Sequence, residues 1–427
     1  MKKKKNKLIL DRQEIINILG KEYKNLADIF SDKFGIVNAM LERHELNKYN
    51  LYMYQCLSAN TVSLFGLSRE VSSGGLGVNE SKKIAMTSCL AEALERYCMS
   101  YIPQNEIIKD KKENLKKEYT FDNFFLYTDK QYKELDMFLN PNSENIEWTK
   151  IYDINKKENF KYWPASLIYL PFDLNKTVAE TTSTGMAAGF TLDECFQSGL
   201  LELIERDALM INFMQRLNPP EINTKSIDGN NKELIKMIEK EYNIKIYKLY
   251  SDIKVPIYLS IIYKKEKNNI HYGIGACASL DSDYAINKSL KECLFTYFYS
   301  LNIMDVRQDD PNKIRTLYEH FLYYQGENFN KLLFDSKKID YEKEKISFDK
   351  LLKELKKIDI DVYYKELTTD DIRKTGIKVV KVIAPSLIDL NKSHLYPRLG
   401  ATRFFLVPLK LKLNYNSKLT NMPHPFP

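Results

Sequence analysis

The run Leu90-Ala91-Glu92-Ala93-Leu94-Glu95-Arg96 returns as Leu200-Leu201-Glu202-Leu203-Ile204-Glu205-Arg206, so two carboxylates and a guanidinium recur at the same spacing. At about 100° per residue, Ser88, Glu92, Glu95 and Arg96 share one arc of a helix, with Met86, Leu90, Leu94 and Tyr97 opposite. In the second copy Glu194, Ser198, Glu202, Glu205 and Arg206 share an arc, opposed by Phe196, Leu200 and Leu203. A third segment sets Lys288, Glu292 and Thr296 in a stripe, with Ile286, Leu290, Leu294 and Tyr297 behind. Such a collection suits a magnesium–polyphosphate site. Mg²⁺ takes oxygen ligands and is commonly held by one or two carboxylates, phosphate oxygens and water. Arginine and lysine would neutralise the phosphate directly. A second reading competes with this one. Glu92–Arg96 and Glu202–Arg206 are i,i+4 pairs of the kind found on solvated helix faces, stabilising by ~0.2–0.5 kcal/mol each. Thr191-x-x-Glu194 also matches a capping box, which would account for Glu194 without a ligand. The spacing alone leaves both readings open.

Three helices must position these groups. The first is expected over about Lys82–Tyr101 after the Gly-rich turn Ser72–Gly77, and the second from Thr191 to about Arg216 after a turn at Thr181–Gly189. The third is expected over about Asp283–Asn302, following Gly273–Ala278. Strand patterns appear at Leu51–Leu57, Trp163–Pro171, Ile244–Tyr250, Pro256–Tyr263, Val362–Leu367 and Val379–Ile383. Residues 8–50 carry a helical pattern, and the lysine-rich stretch 105–160 holds a surface turn at Asn140–Ser143. Strands and helices mixed in this way indicate an α/β or mixed α+β core. No low-complexity linker interrupts the chain. The expected division is an N-terminal elaboration over 1–60, one large domain over 61–408 and a proline-rich tail over 409–427.

Composition narrows the rest. The 427 residues are 44% hydrophobic and 28% charged, which describes a globular chain with a sizeable core. The net charge of +7 is spread through lysine-rich segments and reads as solvated surface, so no nucleic-acid partner is expected. Met1-Lys2-Lys3-Lys4-Lys5 resembles the start of a signal peptide, but Leu8-Ile9-Leu10 is too short for its apolar region. No apolar run reaches the length of a membrane span, so a cytoplasmic chain is expected. The six cysteines contain no C-x-x-C pair and read as buried thiols. The five histidines are scattered, which argues against a His-based metal site. A G-x-x-x-x-G-K-[ST] loop is missing and so is the protein-kinase signature set, leaving the carboxylate-rich helices as the nucleotide cradle.

Taken together, these segments resemble the YcaO superfamily. Ser-Gly-Gly-x-Gly followed by Ser88-x-x-x-Glu92-Ala93-x-Glu95-Arg96-Tyr97 is similar to its first ATP-binding motif. Thr184–Gly189, then Glu194 and Glu202-x-x-Glu205-Arg206-Asp207-Ala208, resembles the second, and Lys288-x-x-x-Glu292 the third. Leu317–Tyr324, Gly376–Pro385 and Leu399–Arg403 look like segments of the azoline-forming members, and Pro423-His424-Pro425-Phe426-Pro427 like the Pro-x-Pro-x-Pro end of peptide cyclodehydratases. The likeness runs from about residue 60 to 427. Leu76, Phe190 and Thr296 depart from it, standing where the family often has Lys, Asn and Gln.

The resemblance implies an ATP-dependent cyclodehydratase of the D type, similar to those of streptolysin S-like systems. It would turn Cys, Ser or Thr of a ribosomal precursor peptide into thiazoline or oxazoline rings. Glu92, Glu95, Glu202, Glu205 and Glu292 would hold Mg²⁺, while Ser88, Arg96, Glu194, Arg206 and Lys288 would contact ATP. Pro427 would act through its carboxylate on the attacking group, with His424 a lesser candidate. A tail of alternating prolines is stiff and loses little entropy on docking; its other reading is a frayed end. An adenylating-enzyme-like, leader-binding partner is implied, with a flavin-dependent azoline dehydrogenase as an optional further partner and a homodimer left open. Two rival functions remain: a non-catalytic docking scaffold, and a YcaO enzyme making thioamides or amidines.

Overall fold

The computed structural model describes residues 9–67, 74–124, 126–266, 269–301 and 309–426. Met1–Leu8, Ser72, Ser73, Asn302 and Pro427 lie outside them. The described residues form three sheets joined by helices, a mixed α/β architecture as the pattern indicated.

The three helices of the motifs are present at Lys82–Met99, Leu192–Met214 and Ser282–Leu301. Local chemistry sets where the first two begin. The Ser81 side chain accepts from the Ile84 N–H, and Thr191 with Glu194 closes a full capping box. Each helix covers its own apolar cluster. Leu90, Leu94 and Tyr97 pack with the N-terminal residues Ile15, Leu19 and Val37. Leu200, Ile204 and Ile211 pack with Val380, Val382 and Phe404, and Ile286, Leu290 and Leu294 pack with Ile235, Ile246 and Tyr258.

What precedes each helix is a strand, and here the sequence reading needs correction. Gly74–Asn79 is not a turn; it is the third strand of an antiparallel sheet with Val37–Arg43 and Tyr52–Ser58. The glycines are there because the first helix lies directly on this strand. A Cβ at Gly75 would stand 1.9 Å from the Cys89 carbonyl oxygen, and one at Gly77 1.8 Å from that of Ala85. The third unit repeats the device: a Cβ at Gly273 or Gly275 would come within 2.1 or 2.3 Å of the Cys293 or Ser289 carbonyl oxygen. The second unit carries its small residue on the helix, where Gly199 faces the Gly185 carbonyl.

Met186–Gly189, at the end of the expected turn, is the edge strand of a six-stranded sheet. Its path continues through Lys378–Ile383, Tyr363–Glu366, Asn145–Asp153 and Ile108–Lys111, and Phe160–Pro164 pairs with Asn145–Asp153. The third strand–helix unit starts from Asn269–Ala278 in a five-stranded sheet with Ile257–Glu266, Asn243–Lys248, Glu221–Ile222 and Lys338–Ile339. Other expectations hold only in part. Residues 8–50 give the helix Arg12–Leu19, a 3₁₀ turn at Lys24–Ile29 and the strand Val37–Arg43. The apolar run from Trp163 leaves the strand at Pro164 and turns through a 3₁₀ segment, Ala165–Leu167. The lysine-rich stretch contains a nine-residue strand, Asn145–Asp153, whose buried Ile146 and Trp148 the lysines had masked.

One buried ion network ties the loop after Lys378–Ile383 to the second helix. Asp207 accepts from Arg403 Nε at 2.8 Å, from Arg403 Nη2 at 2.6 Å and from the Ile388 N–H at 2.9 Å. Arg403 Nη2 also reaches Asp252 at 2.7 Å. A buried pair of this kind costs most when one partner is removed, because the other is left charged and unpaired. Arg403→Leu is therefore expected to lower stability by ~3–5 kcal/mol, read as a shift in the urea midpoint. Asp207→Asn should cost less, since the amide oxygen still accepts from Ile388.

Candidate active site

The carboxylates of the motifs are held by backbone donors of the strands in an overlapping series. Glu92 Oε2 accepts from the Leu76 N–H at 3.0 Å, Glu202 Oε2 from Gly185 at 3.0 Å and Glu292 Oε2 from Ala276 at 3.2 Å. Glu92 and Glu292 are bound by the strand of their own unit, and Glu202 by the residue just before its strand. The second glutamates cross to the next unit: Glu95 Oε1 accepts from the Ala188 N–H at 2.8 Å, and Glu205 Oε2 from Ala278 at 3.3 Å. The three helix faces thereby meet in one cleft, in which Glu95 feels the charges of Glu92 and Glu202, and Glu205 those of Glu292 and Glu202. The five glutamates predicted from sequence are brought together.

The electrostatics are those of a site short of positive charge. Desolvation, with Glu92 second, pushes Glu95 up to about 8. Burial pushes Glu205 up to about 8 as well, against the pull of Arg206; Glu292 is raised by burial too. Burial disfavours the charged form of such carboxylates, and a further cation in the cleft would favour it. Arg96 lies 3.2 Å from Glu92, and Arg206 lies 3.7 Å from Glu202 and 3.4 Å from Glu205. The Arg206 Nε and Nη1 atoms are buried and make no hydrogen bond. Donors stranded beside desolvated carboxylates fit a metal-bound polyphosphate, which would supply acceptors to the arginine and a cation to the glutamates. Among the described residues no three His, Cys, Asp or Glu side chains form a self-contained metal site.

The remaining predicted residues sort differently. Lys288, one turn before Glu292, and Ser88, one turn before Glu92, are exposed on the cleft side of their helices. Glu194 is exposed, and its Oε2 accepts from the Phe190 and Thr191 N–H groups at 2.9 and 3.1 Å, so capping accounts for it. The three departures are also explained locally. Leu76 contributes its backbone to Glu92, the Phe190 ring stacks on Tyr23 at 4.8 Å, and Thr296 Oγ1 binds the Ile274 N–H and carbonyl, both at 2.8 Å.

The tail is docked, not frayed. Pro423–Phe426 are buried. Tyr324 Oη donates to the Pro423 carbonyl at 2.6 Å, and His320 Nδ1 to the His424 carbonyl at 3.1 Å. The His424 ring stacks on His320 with centres 3.9 Å apart. His424 Nε2 donates to the Asn391 carbonyl at 2.8 Å, and its Nδ1 accepts from the Phe426 N–H at 3.3 Å. With both ring nitrogens engaged, and burial holding its pKa down to about 4, His424 anchors the tail and is not placed as a base. The anchor carries the Phe426 ring to 4.5 Å from the Arg206 guanidinium, the group at the centre of the glutamate cleft. Pro427 lies outside the described residues. Sequence reasoning missed Lys381, Asp389 and Arg398, with Thr182, which form a polar network beside the second helix.

All six cysteines are unpaired and buried. Among the described residues no helix is long and apolar enough to cross a membrane.

No curated protein matches the chain. Several solved structures share its fold. A heterocyclase in complex with substrate and cofactor is 18% identical with a TM-score of 0.74, covering 98% of this chain, which spans 57% of that protein's length. YcaO from Methanopyrus kandleri, bound with AMPPCP and Mg²⁺, is 15% identical with a TM-score of 0.62, covering 88% of this chain and 91% of its own. The E. coli microcin synthetase complex McbBCD contains a chain that is 17% identical, with a TM-score of 0.56 over 82% of this chain and 88% of that one. The YcaO cyclodehydratase family, ATP- and Mg²⁺-binding, matches residues 76–388, a span that takes in all three helices and their glutamates, and the chain belongs to this family.

Proposed function

We propose that this protein uses ATP to convert Cys, Ser or Thr of a ribosomal precursor peptide into thiazoline or oxazoline rings. The observation that carries this reading is the position of Arg206, which lies among Glu202, Glu205 and Glu292 with two nitrogens that make no hydrogen bond, and against the ring of the docked tail. A phosphate site with a peptide end sealed against it is suited to phosphorylating a peptide.

The bond changes explain why ATP is consumed. The side-chain sulfur or oxygen adds to the carbonyl carbon of the preceding amide and loses its proton, and the carbonyl electrons move to oxygen. That oxygen attacks the γ-phosphorus and ADP leaves. Phosphate then departs with the former amide oxygen while the nitrogen loses its proton and the C=N bond forms. Glu92, Glu95, Glu202, Glu205 and Glu292 would hold Mg²⁺, which would neutralise charge on the phosphates. Arg206, Arg96 and Lys288 orient the phosphates, with Ser88 beside them; Glu194 orders the start of the second helix. Catalysis of this type is positioning and electrostatics. Pro427 orients the attacking group. A leader-binding, adenylating-enzyme-like protein presents the peptide, and a flavin-dependent dehydrogenase oxidises the rings where azoles are formed.

The test is mass spectrometry of a Cys-rich precursor incubated with the protein, its partner and ATP. One water should be lost per modified residue, and an ¹⁸O label in the amide should appear in the released phosphate. Unlabelled phosphate, or an unchanged peptide mass, would overturn the reading; exchange of oxygen for sulfur would point to thioamide formation.

A further inference from the structure

Lys381 lies in the middle of the strand Lys378–Ile383, paired with Met186 on one side and Lys365 on the other. Its flanking residues Val379 and Ile383 belong to the apolar cluster beneath the first helix, and Lys381 itself is buried, 6% exposed. A lysine in such a place would ordinarily be ion-paired. Among the described residues no carboxylate lies within ion-pair distance of it. Its ammonium makes one hydrogen bond, to the Thr182 carbonyl at 2.8 Å, although it carries three donors.

The nearest acid is already committed. Asp389 accepts from Thr182 Oγ1 at 2.8 and 3.0 Å and pairs with Arg398 Nη2 at 3.3 Å. Thr182 Oγ1 is held in turn by the Thr184 N–H at 3.2 Å. This network fixes the Thr182 carbonyl, and with it the ammonium, without neutralising the lysine. Glu202 is the other acid whose charge reaches Lys381. A cavity of about 60 Å³ adjoins the ammonium, lined by Thr184, Leu203, Asp389, Arg398 and Trp163. Leu203 follows Glu202 on the second helix, and Thr184 precedes the Gly185 N–H that Glu202 binds. The cavity therefore lies beside the glutamate cleft. One water needs about 10–15 Å³ on this measure, so the space has room for a carbonyl group and the atoms attached to it.

We propose that Lys381 is a catalytic residue that donates to the peptide amide oxygen as this oxygen becomes negatively charged. The inference rests on the function proposed above. In that reaction the amide oxygen receives an electron pair when the nucleophile adds, before its bond to phosphorus forms. A fixed donor in a desolvated pocket stabilises such charge far more than water does. Lys381 transfers no proton; the proton of the thiol or hydroxyl leaves by another path. Arg206 and Lys288 serve the phosphate side of the site, and Lys381, with Thr182, Asp389 and Arg398 as its positioning residues, serves the peptide side.

The test compares wild type with Lys381→Met and Lys381→Arg, using the complete protein with its partner and a Cys-rich precursor. Lys381→Met should lower kcat for ring formation by about 100-fold or more, with peptide KM, the affinity for a non-hydrolysable ATP analogue and the melting temperature unchanged. Lys381→Arg should restore part of the rate. A kcat within about threefold of wild type would overturn the assignment. So would a loss of rate matched by a loss of analogue affinity, which would place Lys381 on the phosphates. Should Lys381→Met fail to fold, Lys381→Gln decides on the same measurements. If the wild type forms no rings, the proposed function fails; if it does and the variant keeps pace, only the role of Lys381 fails.

Discussion

Glu205→Gln should reduce peptide-dependent ATP turnover by about 100-fold or more and leave the protein no less stable. The side chain is 5% exposed and shaped by two contacts, the Ala278 N–H and Arg206. Glutamine keeps the carbonyl oxygen that accepts from Ala278 and removes the charge. What it loses, on the function proposed above, is a ligand for a divalent cation and part of the electrostatic floor of the phosphate site. Burial sets the sign of the stability effect. The folded carboxyl titrates at about 8, above the ordinary value of about 4.3 for an unfolded chain. Between those values the folded state binds the extra proton, so Glu205 makes the metal-free protein less stable as pH rises. Melting curves at pH 6 and pH 8 should show this decline in wild type and less of it in Glu205→Gln. Magnesium with an ATP analogue should offset it in wild type alone, because ligands that bind only the folded state stabilise it. Wild-type turnover in the variant would remove Glu205 from the cradle.

Deleting Phe426 and Pro427 should abolish ring formation and, because Phe426 belongs to the buried core, lower the melting temperature without unfolding the protein. The deletion leaves Pro423 and His424, so the bonds from Tyr324 and His320 and the contact with Asn391 all persist. It removes the ring that covers Arg206 and admits water to a guanidinium that is otherwise desolvated. A desolvated cation–π contact is worth about 2 kcal/mol. Phe426→Ala should therefore lower turnover by roughly 10- to 30-fold, and Phe426→Tyr should retain most of it. Turnover by the deletion variant equal to wild type would make the tail a structural strap and nothing more.

The two outcomes draw on features of unequal visibility in the sequence. The glutamates were readable because an amphipathic helix repeats its face every three to four residues, and Glu92, Glu95, Glu202, Glu205 and Glu292 obey that period. Their convergence was not readable from any one helix; it depends on N–H groups of Ala188 and Ala278, and a backbone donor carries no sequence signature. The glycines of Gly74–Gly77 suggested a turn because glycine marks turns far more often than strands. Here Gly75 and Gly77 each answer to a carbonyl less than 2 Å from where a side chain would begin. Lys381 was hidden in Val-Val-Lys-Val-Ile, a run that reads as an ordinary strand with one lysine turned to solvent. Only the sheet shows that the lysine points inward. Likewise Glu194 fitted both a ligand and a cap, and the hydrogen bonds to Phe190 and Thr191 favour the cap.

The overlapping grip of the glutamates bears on how the protein is made. Synthesis runs from the N-terminus, and a chain that has grown only through the second helix holds Glu205 without the Ala278 N–H and lacks Glu292 altogether. At that stage Arg206 also lacks the ring of Phe426, which arrives more than two hundred residues later. The glutamate cleft is thus closed only after residues far along the chain have been made. A chain stopped before Ala278 would hold half of the cleft, so whatever the cleft binds must wait for the third strand–helix unit.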